Sequence, residues 1–283
     1  MKRYPMMHSD SILQDLSTPA VIRALEANIN AQIPLMYASM PRVAITVEPD
    51  LLCVMTDLPN LNLNGVYWAA FPPEHVEAKI DDVLRRYREG QHVPMLWAVG
   101  PTTRPRNLAA HLLPRGFRIA FRGRGMAADL LALEEAWPAP TPLIVERVRS
   151  AEQLRQWFHP VTVSFEMPEM VADAFFDLFA GRGFGQEVPW RLFLGKVEDQ
   201  PVAASRLFCA AGVAGIYHVA TLPEARGRGL GTAMTLAAVR GARELGYRVA
   251  ILTASDEGYG IYRRLGFQDC CQADIYLGTG TGT

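Results

Sequence analysis

Residues 219–232, VATLPEARGRGLGT, constrain this chain more than any other segment, because they read as a strand stopped by a proline and followed through a glycine-rich turn by a helix. Val219 to Leu222 is apolar and β-compatible, Pro223 ends it, and Leu230, Met234, Ala237, Gly241 and Leu245 then recur at helical spacing. The turn therefore leads into a helix N-terminus, where the first N–H groups lack intrahelical acceptors and the helix dipole adds partial positive charge. Such a turn binds phosphates. Gly227, Gly229 and Gly231 let an anion approach without a Cβ in the way, and Arg226 and Arg228 bring permanent charge to the same oxygens.

Arg226, Gly229 and Gly231 fit the Arg/Gln-x-x-Gly-x-Gly/Ala signature, and in this the chain resembles the GNAT superfamily of acyl-CoA-dependent N-acyltransferases. A second segment, TASDEGYGIYRRLGF at 253–267, is similar to the family's strand end and short helix carrying a tyrosine before Leu-Gly-Phe. The fold class that the resemblance implies is α/β with a mixed, mostly antiparallel sheet flanked by helices.

Composition sets the frame for one or two such domains. At 283 residues the prior is two, and 49% apolar with 20% charged residues fits an ordinary soluble globular protein. A formal net charge of −1 leaves no general footprint for nucleic acid or an anionic membrane. No apolar stretch of signal-peptide or membrane-spanning length follows MKRYPMMHSD, so a cytoplasmic location is expected. Cys53, Cys209, Cys270 and Cys271 show no CxxC spacing and read as reduced packing residues.

The Pro-rich run 137–142 reads as a stiff spacer between a first half, 1–136, and a second, 143–278. The second half reads as strand 143–148, two helical stretches within 150–181, strands near 191–198, 201–209 and 213–222, helix 229–246, strand 248–254 and short helix 258–265 before closing strands. The first half ends in a similar cadence. Strand 63–71, a helix with Val76, Ile80, Val83, Leu84 and Tyr87 on one stripe, strand 94–100, a helix near 105–113 and Gly116-Phe117 follow in that order. FPPEHV stands where the second half has RGRGLG, and Leu112 where it has Tyr262. The expectation is two tandem GNAT-like domains, the first without the cofactor motif; one unrelated α/β domain fused to a GNAT domain is the alternative.

The resemblance implies acetyl-CoA, or another acyl-CoA, as donor. Its pyrophosphate would lie on Arg226, Gly227, Arg228, Gly229, Leu230, Gly231 and Thr232, and its pantetheine arm along Val219, Ala220 and Thr221. An amine attacking the thioester then needs three things: a donor for the oxyanion, for which a backbone N–H of 219–221 serves; a proton for the leaving thiolate, for which Tyr262 matches the family tyrosine; and loss of its own proton. That last costs about 4–5 kcal/mol at pH 7 for a reference pKa of 10.4. A preselected neutral amine, a water-relayed base, Glu166 or His218 would each offset it, and His218 also reads as a core histidine. Tyr259 is a packing partner or substitute for Tyr262, and Ser255 stands where many relatives carry a cofactor-contacting asparagine.

The acceptor is expected to be a small-molecule or peptide amine. Its walls are the stretch from His159 to Asp173, with Glu166 and Glu169, and the 181–190 loop; those acids would attract a cation or simply solvate a helix face. A noncatalytic acyl-CoA-binding module is the competing function, and the chain is expected to be a monomer or homodimer. GRGFG at 181–185 lacks the strand-turn-helix context and reads as a helix C-cap and mobile loop, RGRG at 122–125 reads as a hairpin turn, and no HExxH, GxSxG or Walker lysine implies a metal or other chemistry. The terminal GTGTGT has no core-forming residue and is expected to be disordered.

Overall fold

The computed structural model describes residues 11–38, 40, 42–56, 63–90, 94–134, 142–185 and 187–278. The expected spacer at 137–142, apart from Pro142, and the tail 279–283 lie outside them. The chain forms two compact units, neither continuous in sequence: Met1–Ala31 with Gly125–Cys270, and Gln32–Arg124 with Cys271–Thr283. Residues on both sides of the expected boundary therefore join the other half of the sequence. The reason is hydrogen bonding at long range. The buried Asn28 amide donates to the carbonyls of Phe208, Ala210 and Val213, Leu13 N–H donates to Gly212, and Leu130 N–H donates to Arg248.

Helix α1 (Thr18–Tyr37), strand β5 (Arg118–Asp129) and strand β11 (Gln268–Gly278) run through the divisions. The RGRG segment lies inside β5, so the expected hairpin turn at 122–125 is a strand. Gly123 and Gly125 are buried while Arg122 and Arg124 are exposed, an alternation of period two that a strand requires.

The first unit orders its strands β5-β10-β9-β8-β7-β6, with β6 Ile144–Arg147, β7 Trp190–Val197, β8 Gln200–Ala210, β9 Val213–Thr221 and β10 Val249–Ala254. Pairing is antiparallel from β6 to β9 and parallel between β9 and β10. Helices α4 (Ala151–Ser164), α5 (Glu169–Arg182), α6 (Leu230–Glu244) and α7 (Asp256–Arg264) complete it. Ser150 caps α4 by accepting from Gln153 N–H at 3.2 Å, and α5 ends at Gly183, whose φ of 79° bears out the expected glycine C-cap. The apolar stripe of α6 buries Leu230, Met234, Ala237, Ala238 and Val239.

The second unit orders its strands β1-β2-β3-β4-β11, with β1 Ala44–Glu48, β2 Leu51–Met55, β3 Gly65–Ala69 and β4 Met95–Val99, and carries α2 (Val76–Gly90) and α3 (Leu108–Leu112). Its core centres on Trp97, against which Phe71 and Phe117 pack edge-on at 6.4 and 5.9 Å between ring centroids. Each unit repeats one arrangement. An antiparallel pair (β2/β3, β8/β9) carries one extra residue on its second strand, which then pairs in parallel with the next. The mixed sheets flanked by helices are the expected α/β class.

Candidate active site

The glycine-rich turn leaves a row of N–H groups open. A 3-10 turn at Pro223–Ala225 ends β9's exit, Arg226 is extended, and Gly227 and Gly229 take φ of 75° and 78°, which a side chain would strain. The first hydrogen bond of α6 is donated by Ala233 N–H to Gly229. Among the described residues, none accepts from the N–H groups of Leu230, Gly231 and Thr232, no side chain caps the helix, and its first turn holds no acid. A Cβ on Gly231 would reach Ile261 Cδ1 at 3.5 Å and Thr221 Oγ1 at 4.0 Å, so the glycine forms a floor with room above it. Arg228 is exposed. Arg226 turns its Nε to the Thr221 carbonyl at 3.2 Å.

Strand β9 opens a slot beside this turn. Its parallel ladder with β10 is limited to Ala214↔Ala250 and Gly215↔Ile251, although both strands continue. On its other side the register slips between Ala204↔Ala220 and Arg206↔Tyr217, and the extra residue is accommodated at His218, with φ of 50°. The end of β9 therefore diverges from β10 and leaves the main chain of Val219 and Ala220 beside the glycine turn. Thr221 differs from expectation: its carbonyl already accepts from Ser164 Oγ at 3.1 Å as well as from Arg226.

Tyr262 sits on α7 against Phe267, ring centroids 6.1 Å apart, and is 8% exposed. Burial pushes its phenol up to about 12, and its hydroxyl makes no hydrogen bond among the described residues. Gly258 makes room for it: a Cβ there would stand 2.9 Å from the Tyr262 ring. Ser255 caps α7, its hydroxyl accepting from Gly258 N–H at 3.2 Å, while the Tyr259 hydroxyl donates to Asp269 at 2.6 Å. Capping and an acidic partner thus occupy the two residues expected beside the donor. Tyr262 alone keeps an uncommitted hydroxyl.

His218 is enclosed by aromatic rings, with Trp157 of α4 at 5.7 Å and Phe165, just past α4, at 5.9 Å, both nearly perpendicular. Its Nδ1 is buried without a hydrogen-bond partner. Burial first, and then the charge of Arg206, hold the imidazole well below its ordinary value. Arg206 is 2% exposed, lies over the ring of Tyr217 at 5.0 Å, and is itself lowered by burial to about 10. Glu166 is exposed in the α4–α5 turn with φ of 47°. Trp157, Phe165, Ser164 and Arg206 were not singled out from sequence. Only a map of which side chains face β9 reveals them.

The second unit shows what the same arrangement looks like when closed. Tyr67 is the extra residue on β3, and its hydroxyl is 2.8 Å from that of Tyr37. Beyond it, Arg104 N–H donates to Ala69, Phe71 N–H donates to Arg104, and the chain itself fills the slot beside β3. The helix start that follows carries Glu74 and Glu77 rather than glycines, with Glu77 paired to Arg115 and His111. The first turn of α2 thus carries an acid, where that of α6 carries none.

The sequence from Pro189 to Asp269, which spans bulge, slot, glycine turn and Tyr262, matches the family model described as Acetyltransferase (GNAT) domain. Residues 189–269 belong to the GNAT superfamily. Among solved structures, the whole chain is similar to a GCN5-related N-acetyltransferase from Kribbella flavida, at 21% identity and TM-score 0.67, covering 94% of this chain and 96% of that one. It is similar also to a GCN5-related N-acetyltransferase from Sphaerobacter thermophilus, at 15% identity and TM-score 0.63 with 94% of each chain covered. A third is a tandem GNAT protein from the clavulanic acid biosynthesis pathway, at 14% identity and TM-score 0.61, covering 96% and 98%. At these identities the likeness is one of fold, and it extends the GNAT architecture over both units. No curated protein is significantly similar to the chain. Among the described residues, no helix is long and apolar enough to cross a membrane, and no group of three His, Cys, Asp or Glu side chains is placed to hold a metal ion.

Proposed function

We propose that the first unit is an N-acyltransferase that moves an acetyl group from acetyl-CoA to a primary amine by direct attack on the thioester. One observation carries the reading: the end of β9, no longer paired with β10, leads through the glycine turn into a helix start whose N–H groups of Leu230, Gly231 and Thr232 have no acceptor among the described residues. That row suits a diphosphate, with Arg228 and the terminal nitrogens of Arg226 adding charge, and the main chain at Val219, where β9 has left β10, suits the amides of a pantetheine arm. Gly227, Gly229 and Gly231 keep the approach open.

The chemistry divides among three groups. As the amine's C–N bond forms, an N–H of β9's end receives the developing oxyanion without having to reorient. As the C–S bond breaks, Tyr262 gives its proton to the departing thiolate; a phenol raised to about 12 stays protonated across the neutral range and has no competing partner. His218, held neutral because burial and Arg206 disfavour its cation, accepts a hydrogen bond from the attacking amine and orients it, and the nitrogen's proton passes to solvent once bond formation has made it acidic. Glu166, exposed in the α4–α5 turn, receives no role in this scheme.

The test is thiol release from acetyl-CoA by the purified chain over a panel of amines, with calorimetry of donor binding beside it. Turnover that vanishes when Gly229 is replaced by valine, together with lost donor binding, supports the reading. Tight donor binding without turnover on any amine would favour an acyl-CoA-binding module instead.

A further inference from the structure

The register slip beside His218 leaves one residue of β8 facing two of β9. Ala204 pairs with Ala220 and Arg206 with Tyr217, so Ser205 stands opposite both His218 and Val219. Two helices hold that residue. Trp157 of α4 donates its indole Nε1 to the Ser205 carbonyl at 3.1 Å, and the Ser205 hydroxyl donates to the Met234 carbonyl of α6 at 2.8 Å. Both Trp157 and Ser205 are fully buried. The ring of the same tryptophan meets His218 nearly perpendicular, 5.7 Å between centroids. One side chain thus touches both strands of the bulge. His218 keeps φ of 50°, a conformation that a residue with a side chain holds only where its surroundings fix it.

A second tryptophan separates this tie from packing. Trp190 is buried as well and sets its ring against Phe179 at 5.1 Å, as Trp157 does at 6.0 Å. Its Nε1 has no hydrogen-bond partner, and among the described residues no ring contact joins it to His218. Two indoles share one wall, and one of them is fastened to the bulge. We infer that Trp157 is a positioning residue for acyl transfer: its N–H on Ser205 and its ring on the imidazole together hold His218 in the orientation that meets the attacking amine. This rests on the acyltransferase reading above, in which His218 touches the amine and Trp157 does not.

The experiment compares Trp157→Phe with Trp190→Phe in the full chain. It measures kcat and KM by thiol release, acetyl-CoA affinity by calorimetry, and the imidazole nitrogen resonances of His218, assigned by their loss in His218→Asn. In Trp157→Phe, kcat should fall by about tenfold or more with acetyl-CoA affinity unchanged, and the His218 resonances should move. Trp190→Phe should leave kcat and those resonances at their wild-type values, whatever it does to the melt. If Trp157→Phe does not fold, 3-benzothienylalanine at position 157, which keeps the bicyclic shape and lacks the N–H, carries the same expectations. Wild-type kcat in the folded variant, a fall in kcat with unmoved His218 resonances, or an equal fall in Trp190→Phe each overturns the inference and leaves the acyltransferase reading standing. If the wild-type chain acetylates no amine, the resonances decide alone: moved in Trp157→Phe and not in Trp190→Phe, they uphold the positioning while the acyltransferase reading falls, and unmoved in both, they sink the two together.

Discussion

Replacing Tyr262 by phenylalanine separates catalysis from packing more cleanly than any other change in this chain. The substitution removes one oxygen and keeps the ring that packs on Phe267 at 6.1 Å beside Gly258. Because the hydroxyl makes no hydrogen bond among the described residues, its loss leaves no abandoned partner, and stability should stay within about 1 kcal/mol. That corresponds to a Tm change of about 2–4 °C at most for a domain of this size. A lost general acid costs about 10²–10⁴ in rate, or about 2.7–5.4 kcal/mol of transition-state stabilisation at 1.36 kcal/mol per decade. The assay is single-turnover acetyl transfer with saturating donor, read with calorimetric donor affinity and a thermal melt. The expected result is a fall of at least a hundredfold in rate with melt nearly unchanged. Wild-type rate in the variant refutes the proton-donor role, and a melt lowered by ten degrees refutes the claim that the hydroxyl is uncommitted. The pH dependence carries a sign of its own. Folding favours the neutral phenol, so the stability that this group contributes is complete below the unfolded value near 10 and is lost as pH climbs through about 12. The rate should accordingly show no alkaline loss from this group below about pH 10.

Four further outcomes follow from geometry described above. His218 is held below its ordinary value, so the unfolded chain binds a proton that the folded one refuses; stability present above about pH 6.5 is lost as pH falls, by up to about 1.4 kcal/mol per unit, and His218→Asn, which tolerates the positive φ, should flatten that acid limb in denaturant titrations. Gly231→Ala meets only ordinary contacts at 3.5 and 4.0 Å and should fold with an unchanged or slightly higher Tm, yet weaken acetyl-CoA binding by about tenfold, since its methyl stands on the floor of the cradle. Calorimetry should find one acetyl-CoA per chain, because Arg104 already occupies the slot beside β3; two equal sites would contradict that closure. Trp97→Ala, which empties the centre of the second unit's core, should cost about 3–5 kcal/mol in chemical unfolding.

What the sequence disclosed depended on how local the cause was. Strand, proline, glycine turn and helix at 219–246 follow from adjacent residues, and the structure places each within a residue or two of where periodicity does. Tyr262 was legible because a short spacing ties it to Leu265-Gly266-Phe267. Helix α1 was not: its Pro34 interrupts the pattern, and Asn28 takes its acceptors from residues some 180 positions away, which no window of sequence contains. RGRG misled because glycine is a turn signal by composition, whereas here the alternation of buried Gly and exposed Arg carried the information. The roles expected of Ser255, Tyr259 and the Thr221 carbonyl met competitors, a cap, Asp269, and the pair Ser164 and Arg226, that only the folded arrangement brings near.

The Thr221 carbonyl, which Ser164 and Arg226 share, makes one oxygen the keystone between the amine's side and the nucleotide's side. Neither shoulder can be re-cut alone: a changed residue at 164 loosens the arginine that steadies the phosphate turn, and a changed arginine frees the turn that frames the amine. Laboratory selection for a new acceptor should therefore return paired changes at 164 and 226, and a lineage that alters one should carry the mark of the other.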